Sequence, residues 1–271
     1  MQSMQGTTIA IIGAGAIGGA VIDRLLNGAG ARAQDLVACE TNEPRREEIG
    51  RRFAVRTTAE AVDAAPAQLI VLAVPPLEMN KVLSAVRDRV AHRPVIVSLA
   101  AAFPVHLLES SLPQETPVVR VNPNSPSLVG AGFNPVAYGR HVTGAARALA
   151  DRFLSALGTA VEVDDATMNQ YTALTAVGPT YFLPVFEAMI AAGIAAGLTR
   201  EATVAAVTAT AHGTAEMVAQ RGEAPEELKL YTGLRPLKDA EVRDLVAQAL
   251  ADALSRMTAL QQKIADAARS A

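Results

Sequence analysis

The apolar run TIAIIG leads directly into GAGAIG, which places Gly13, Gly15 and Gly18 at the spacing of a strand-to-helix turn that holds a dinucleotide. The first glycine permits the tight turn, the second lets a pyrophosphate approach the backbone, and the third lets helix pack on strand. Gly13, Gly15, Ala16, Ile17 and Gly18 are therefore the expected cradle, with the phosphates at the positive end of the helix. Glu40 ends a second apolar run, 22 positions after Gly18. A carboxylate there can accept both hydrogen bonds of an adenosine ribose diol, which favours NADH. Arg45 and Arg46 follow closely and could instead hold a 2′-phosphate. Both readings stand at this point.

Further along, LAVPP and SLAA end two more apolar runs, so Ala73, Val74, Pro75 and Ala100 are expected beside the same ligand. The next run ends in VNPNSP. Pro123 and Pro126 fix the backbone, and Asn122, Pro123, Asn124 and Ser125 are expected to face the nicotinamide and substrate. Hydride transfer to a protonated imine needs orientation, a dry pocket and a nearby proton source, but no strong base. Residues 169–192 fit that economy, holding no Lys, Arg, His or Asp and only Glu187. Tyr171 and Thr175 remain as donors or orienting groups. A hydroxyacid dehydrogenase would need a lysine in this helix, but the four lysines are Lys81, Lys229, Lys238 and Lys263. Of the histidines, His92 reads as a surface helix end, His106 as part of a short helix after the fifth strand and His141 as a loop residue, and only His212 could line a pocket. Buried Cys39 reads as a core thiol.

Elements that position such groups are legible as alternation. Expected strands cover 8–12, 36–39, 69–74, 95–99, 118–121 and 160–163, with helices near 15–27, 44–52, 58–64, 77–90, 104–110 and 143–157. This is the pattern of an α/β, doubly wound parallel sheet. After residue 166 only alanine-rich helices are expected, with Thr199 as an N-cap following a stop at Gly197. The division falls at residues 1–164 and 165–271.

The chain has 271 residues, a net charge of −3 and a single cysteine. It offers no basic field for nucleic acid or anionic membrane, so a small molecule is the expected partner. One cysteine excludes an internal disulfide and suits a reducing compartment, here the cytoplasm. No metal cluster is expected. Residues 171–198 are long and apolar enough for a membrane span, yet Glu187, Gly178-Pro179 and Pro184 interrupt them. A helix buried in a core or subunit interface explains the same composition.

The segments GAGAIGG, VSLAAAFPVHLLE, RVNPNSPSLVGAG and ALTAVGPTYFLPVFEAMIAAGIAAGL, in that order, resemble the pyrroline-5-carboxylate reductase family, which reduces a cyclic imine to proline. The match runs to about Leu228. It implies an N-terminal Rossmann domain, an all-α dimerisation domain, NAD(P)H as cofactor, and a homodimer or larger homo-oligomer with active sites at the interface. The family's MPNTPA is NPNSPS here, and ALSGSGPAY is ALTAVGPTY. By that resemblance Thr175, Val177 and Gly178 lie near the substrate. Three departures are plain. The family's lysine before proline is Val74, the side chain of Val177 cannot donate a hydrogen bond, and TSPGGTT, which helps hold the substrate carboxylate, has become LYTGLRPL. Thr232, with Thr175 the catalytic candidate, and Gly233 keep register there, and Arg235 could bind a carboxylate in its place. Three functions stay open: pyrroline-5-carboxylate reduction, reduction of another imine or keto acid, and dinucleotide binding without catalysis.

Overall fold

The computed structural model describes residues 3–234 and 236–269. Eight strands form one sheet in the order β3-β2-β1-β4-β5-β6-β7-β8. They are β1 Ile9–Ile12, β2 Leu36–Cys39, β3 Arg56–Thr58, β4 Leu69–Leu72, β5 Val95–Ser98, β6 Val118–Val121, β7 Gly132–Tyr138 and β8 Gly158–Glu162. The first six are parallel, as in a Rossmann fold; β7 runs antiparallel to β6, and β8 parallel to β7. Helices α1 Ala16–Gly28 and α5 Gly144–Ser155 supply one layer, with α2 Glu43–Phe53 beside α1. Helices α3 Met79–Val86 and α4 Val105–Ser111 supply the other.

Successive strand residues face opposite sides, so both faces must be apolar. Ile9 and Ile11 pack with Val21, Ile22, Leu25 and Phe153 on one side; Ala10 and Ile12 pack with Met79, Leu83 and Val86 on the other. Each fully buried Ile or Leu stabilises the fold by about 1.5–3 kcal/mol over its exposed state. These two layers hold the carboxyl ends of β1 and β4 side by side, where strand order reverses and ligands of such sheets bind.

Three expectations change. Residues 58–64 are not a helix, because Arg56-Thr57-Thr58 extends along β2 as an edge strand and only a 3₁₀ turn, Ala61–Ala64, follows. The expected helix at 77–90 shortens to α3, flanked by 3₁₀ turns. Strand β7 was hidden by Pro135, which gives the ladder no amide; its carbonyl nevertheless accepts the Asn122 N–H at 3.2 Å.

Beyond β8 every element is helical. Helix α6 Met168–Tyr171 continues into a π-helical turn, Thr172–Ala176, followed by α7 Pro179–Ala195, α8 Arg200–Arg221, α9 Pro225–Leu228 and α10 Asp239–Arg269. Thr199 caps α8 as expected, accepting the Ala202 N–H at 3.2 Å. The chain groups into two compact units, one of residues up to Val177 together with those from Asp252 onward, the other Gly178–Ala251. In the first, the far end of α10 buries Ile264 against the α3 layer. In the second, α7 packs on α8, with Gly193 against the Thr203 side chain. Residues Asp165–Ala195 are long and apolar enough to cross a membrane by length and composition. Core burial does not account for them, since Phe182, Leu183 and Val185 are exposed in the single chain.

Candidate functional site

The glycine turn can be tested position by position for the space a dinucleotide needs. A Cβ on Gly13, whose φ is +91°, would lie 2.8 Å from the Ala73 carbonyl, so only glycine lets β1 and β4 approach here. A Cβ on Gly18 would overlap the Gly13 carbonyl oxygen, which locks α1 onto its strand. A Cβ on Gly15 would meet nothing within 4 Å. Gly15 is also the N-cap of α1 and has no side chain to satisfy the first-turn amides. Open space at a helix start with unsatisfied donors is what a pyrophosphate requires. The residues fit the group.

One cavity, of about 570 Å³, lies on the β2–β4 side of this turn and is lined by Gly13, Gly15, Glu40, Ala73, Val74 and Pro75. Glu60, Glu78 and Lys81 also border it, and no feature of the sequence alone marked them. Three carboxylates thus face one ammonium. The Cys39 thiol registers that field: burial first, then Glu40, Glu60 and Asp63, push its pKa from 9.0 up to about 11. Glu40 Oε1 accepts the Asn42 N–H at 3.0 Å. Arg46 donates to the carbonyls of Glu40 and Thr41, and Arg45 Nε donates to that of Ala14, so both arginines brace the turn.

A second cavity, of about 430 Å³, lies against the start of α1 and is lined by Ala16, Ile17, Asn122, Pro123, Asn124, Ser125 and Ala176. Its asparagines are occupied. Asn122 Nδ2 donates to Thr172 Oγ1 at 2.8 Å, Asn124 Nδ2 to the Thr175 carbonyl at 3.1 Å, and Asn124 Oδ1 accepts the Phe133 N–H at 3.2 Å. Thr175 spends its hydroxyl proton on the Tyr171 carbonyl at 2.8 Å, leaving its oxygen as an acceptor.

Behind this loop, Arg120 is fully buried in β6 and forms an ion pair with Asp165 at 2.6 Å. It also donates to the Ala101 carbonyl, while the other Asp165 oxygen accepts the Val105 N–H at 3.2 Å. Burial depresses the Arg120 pKa, and Asp165 opposes that shift. The pair ties β6, the loop after β5, α4 and the entry to α6 together. A basic residue inside an apolar strand was its only trace in the sequence.

Two family models match: an NADP oxidoreductase, coenzyme F420-dependent model over residues 8–102, and a pyrroline-5-carboxylate reductase dimerisation model over residues 165–260. The pyrroline-5-carboxylate reductase of Corynebacterium melassecola is 32% identical over 262 residues, covering 91% of this chain and 97% of that protein. The chain belongs to the pyrroline-5-carboxylate reductase family. The reductase of Mycobacterium leprae is 36% identical over 219 residues, covering 79% of this chain and 74% of that one. In fold, the chain resembles the pyrroline carboxylate reductase of Plasmodium falciparum solved with NADP bound, with a TM-score of 0.82, 22% identity, and coverage of 96% and 100%.

As a pyrroline-5-carboxylate reductase family member, the chain gathers most of the expected cofactor residues around the two cavities on either side of one glycine turn. Gly18 lies beneath the turn, and Ala100 is buried with its N–H on Ser98 Oγ, bordering neither cavity. Thr175 hydrogen-bonds to the second cavity's loop through its carbonyl. Val177 donates its N–H to the Thr172 carbonyl, while Gly178, Thr232 and Gly233 belong to the other compact unit. Arg235 lies outside the described residues. The four histidines are all exposed, and His212 lines neither cavity.

Proposed function

We propose that this chain reduces 1-pyrroline-5-carboxylate to L-proline at the expense of NADH or NADPH, working as a cytoplasmic homodimer or larger assembly. Family membership over 91% of the chain supports the substrate, and the observation that carries the cofactor is the open space above Gly15 between two cavities. A bound nicotinamide supplies the hydride to the imine carbon, and the nitrogen arrives protonated. The chain's own tasks are then to bind and orient. Gly13, Gly15, Ala16, Ile17 and Gly18 form the phosphate cradle; Glu40, Ala73, Val74 and Pro75 enclose the adenosine half; Pro123 and Ser125 floor the second cavity, where nicotinamide and imine meet. We assign Val177, Gly178, Thr232 and Gly233 to the substrate side, and Thr175 to orienting it through its acceptor oxygen. The functional boundary stays at 164/165, where strands give way to helices.

The acidic lining of the adenosine cavity supports NADH over NADPH. A 2′-phosphate would enter a space bordered by Glu40, Glu60 and Glu78, while the guanidinium groups of Arg45 and Arg46 are engaged with backbone carbonyls. Exposed Phe182, Leu183 and Val185 support an interface formed by α7. A second reading, reduction of a different imine or keto acid, is favoured by one feature: the loop in register with TSPGGTT carries exposed Leu230, Tyr231 and Leu234.

Absorbance at 340 nm, followed with NADH or NADPH and pyrroline-5-carboxylate beside a panel of cyclic imines and 2-keto acids, decides among these. Turnover of pyrroline-5-carboxylate at 10-fold or more the rate of any other compound is the expected result. Turnover confined to another compound overturns the substrate, and tight cofactor binding without turnover overturns the enzyme.

A further inference from the structure

The VNPNSP loop and the helix after Asp165 meet through two side-chain rungs, and both end on a π-helical turn. Within that turn the Val177 N–H reaches back to the Thr172 carbonyl at 3.1 Å, the five-residue step of a π-helix. Proline at 179 has no N–H, so the Thr175 carbonyl lacks the donor that an α-helix would give it four residues on. Asn124 Nδ2 supplies one instead. The Thr172 hydroxyl is buried, donates to the Met168 carbonyl at 2.7 Å and accepts from Asn122 Nδ2 at 2.8 Å.

The spacing explains why two rungs form. Asn122 and Asn124 are alternate residues of an extended segment and share a side, with Asn124 at φ −107° and ψ 169°. Thr172 offers its side-chain oxygen and Thr175, three residues on, its main-chain carbonyl, so the two acceptors lie within about one turn of each other. Pro123 between the asparagines holds the extended geometry, and Phe133 stacks on Tyr171 alongside, with ring centroids 6.4 Å apart.

We infer that Asn122 and Asn124 are positioning residues, a two-rung clamp that holds the Thr172–Ala176 turn so that Ala176 lines the second cavity together with Pro123 and Ser125. Resting on the reductase reading, this assigns them to setting the distance and angle at which the imine meets the hydride, rather than to touching it. Misplacement of reacting groups by about 1 Å costs about 100-fold in rate.

The test compares Thr172→Val, which keeps the shape and removes the acceptor, with Thr172→Ser, which restores it, and with Asn122→Ala alone and in combination. In the full-length protein, amide hydrogen exchange over residues 168–177 reads the clamp without any substrate. Faster exchange in Thr172→Val and Asn122→Ala, no further increase in the double variant, and recovery in Thr172→Ser are expected. With pyrroline-5-carboxylate, kcat should fall about 10- to 100-fold in Thr172→Val while the KM for the imine and the Kd for NADH, measured by cofactor fluorescence, stay within about twofold. Unchanged exchange, or additive effects of the two substitutions, overturns the clamp. So does a raised imine KM at constant kcat, which would make the asparagines direct ligands. A wild-type protein inert toward the pyrroline overturns the reductase reading instead, and the exchange data still decide the clamp.

Discussion

Arg120 and Asp165 form an asymmetric pair: the guanidinium is wholly buried, whereas the carboxylate 2.6 Å away keeps 29% of its side-chain surface exposed. The two ends therefore differ in what their loss leaves behind. Asp165→Asn strands a buried cation and should cost about 3–5 kcal/mol of stability. Arg120→Met leaves a carboxylate that water can reach, and should cost less although it deletes the larger polar group. Urea denaturation of both variants gives the order, and a larger loss for Arg120→Met would refute this account.

At the glycine turn, room and fit separate cleanly. Gly15→Asp adds a side chain into open space and should leave the melting temperature within a few degrees, yet weaken NADH and NADPH binding at least 100-fold by blocking and repelling the pyrophosphate. Gly18→Ala must displace the Gly13 carbonyl and should cost a few kcal/mol before any ligand is added. Cofactor titration and thermal denaturation of the two variants distinguish binding from packing.

Glu40→Gln removes one of the three glutamates that border the first cavity and, in the proposed site, weakens the acceptor for the ribose diol. The ratio of kcat/KM with NADH to that with NADPH should fall about 10-fold, roughly 1.4 kcal/mol of discrimination. An unchanged ratio would place the selection elsewhere, with Arg45 and Arg46 the next residues to substitute.

The Cys39 thiol makes stability depend on pH in a defined window. Its pKa is raised in the folded chain, from 9.0 to about 11, so the folded state favours the protonated form. That contribution is fully present below pH 9 and is lost as pH rises toward 11. Denaturation of the wild type and Cys39→Ala at pH 8, 9.5 and 11 should show the wild type losing relative stability across that interval. Parallel curves would mean that burial and the neighbouring carboxylates together do not raise the thiol's pKa.

Much of the first cavity could be read from residue types, because local backbone geometry and strand order bring Gly13, Gly15 and Glu40 to its lining. The strands TIAII and LIVL are apolar on both faces, which leaves little doubt about a buried parallel sheet. The second cavity was less legible. Asn122 and Asn124 read as groups turned toward a ligand, but their partners, Thr172 and Thr175, lie 50 and 51 residues later, and side-chain pairing at that separation leaves no periodic signal. Strand β7 failed for a related reason: GFNPVAY carries a glycine, an asparagine and a proline, and is a strand only because β6 and β8 flank it. The fates of Val177 and Gly233 depend on the compact arrangement of helices, to which alanine-rich sequence gives no distinctive pattern.

The antiparallel turn of β7 gives the VNPNSP segment a mechanical character unlike that of its neighbours. Loops after β1, β4 and β5 leave the sheet for a helix and are anchored in the sheet at one end. The segment after β6 returns at once into β7, and Val121 lies opposite Val136, so it is a ring fastened at both ends. Prolines at 123 and 126 stiffen it further. Such a ring is held more firmly than a loop tethered at one end. Alanine at Gly130 would not simply stiffen it, because that residue has a φ of +74° and a Cβ there would press on the Arg24 guanidinium, so any motion that opens the second cavity is easier to place in segments anchored at one end.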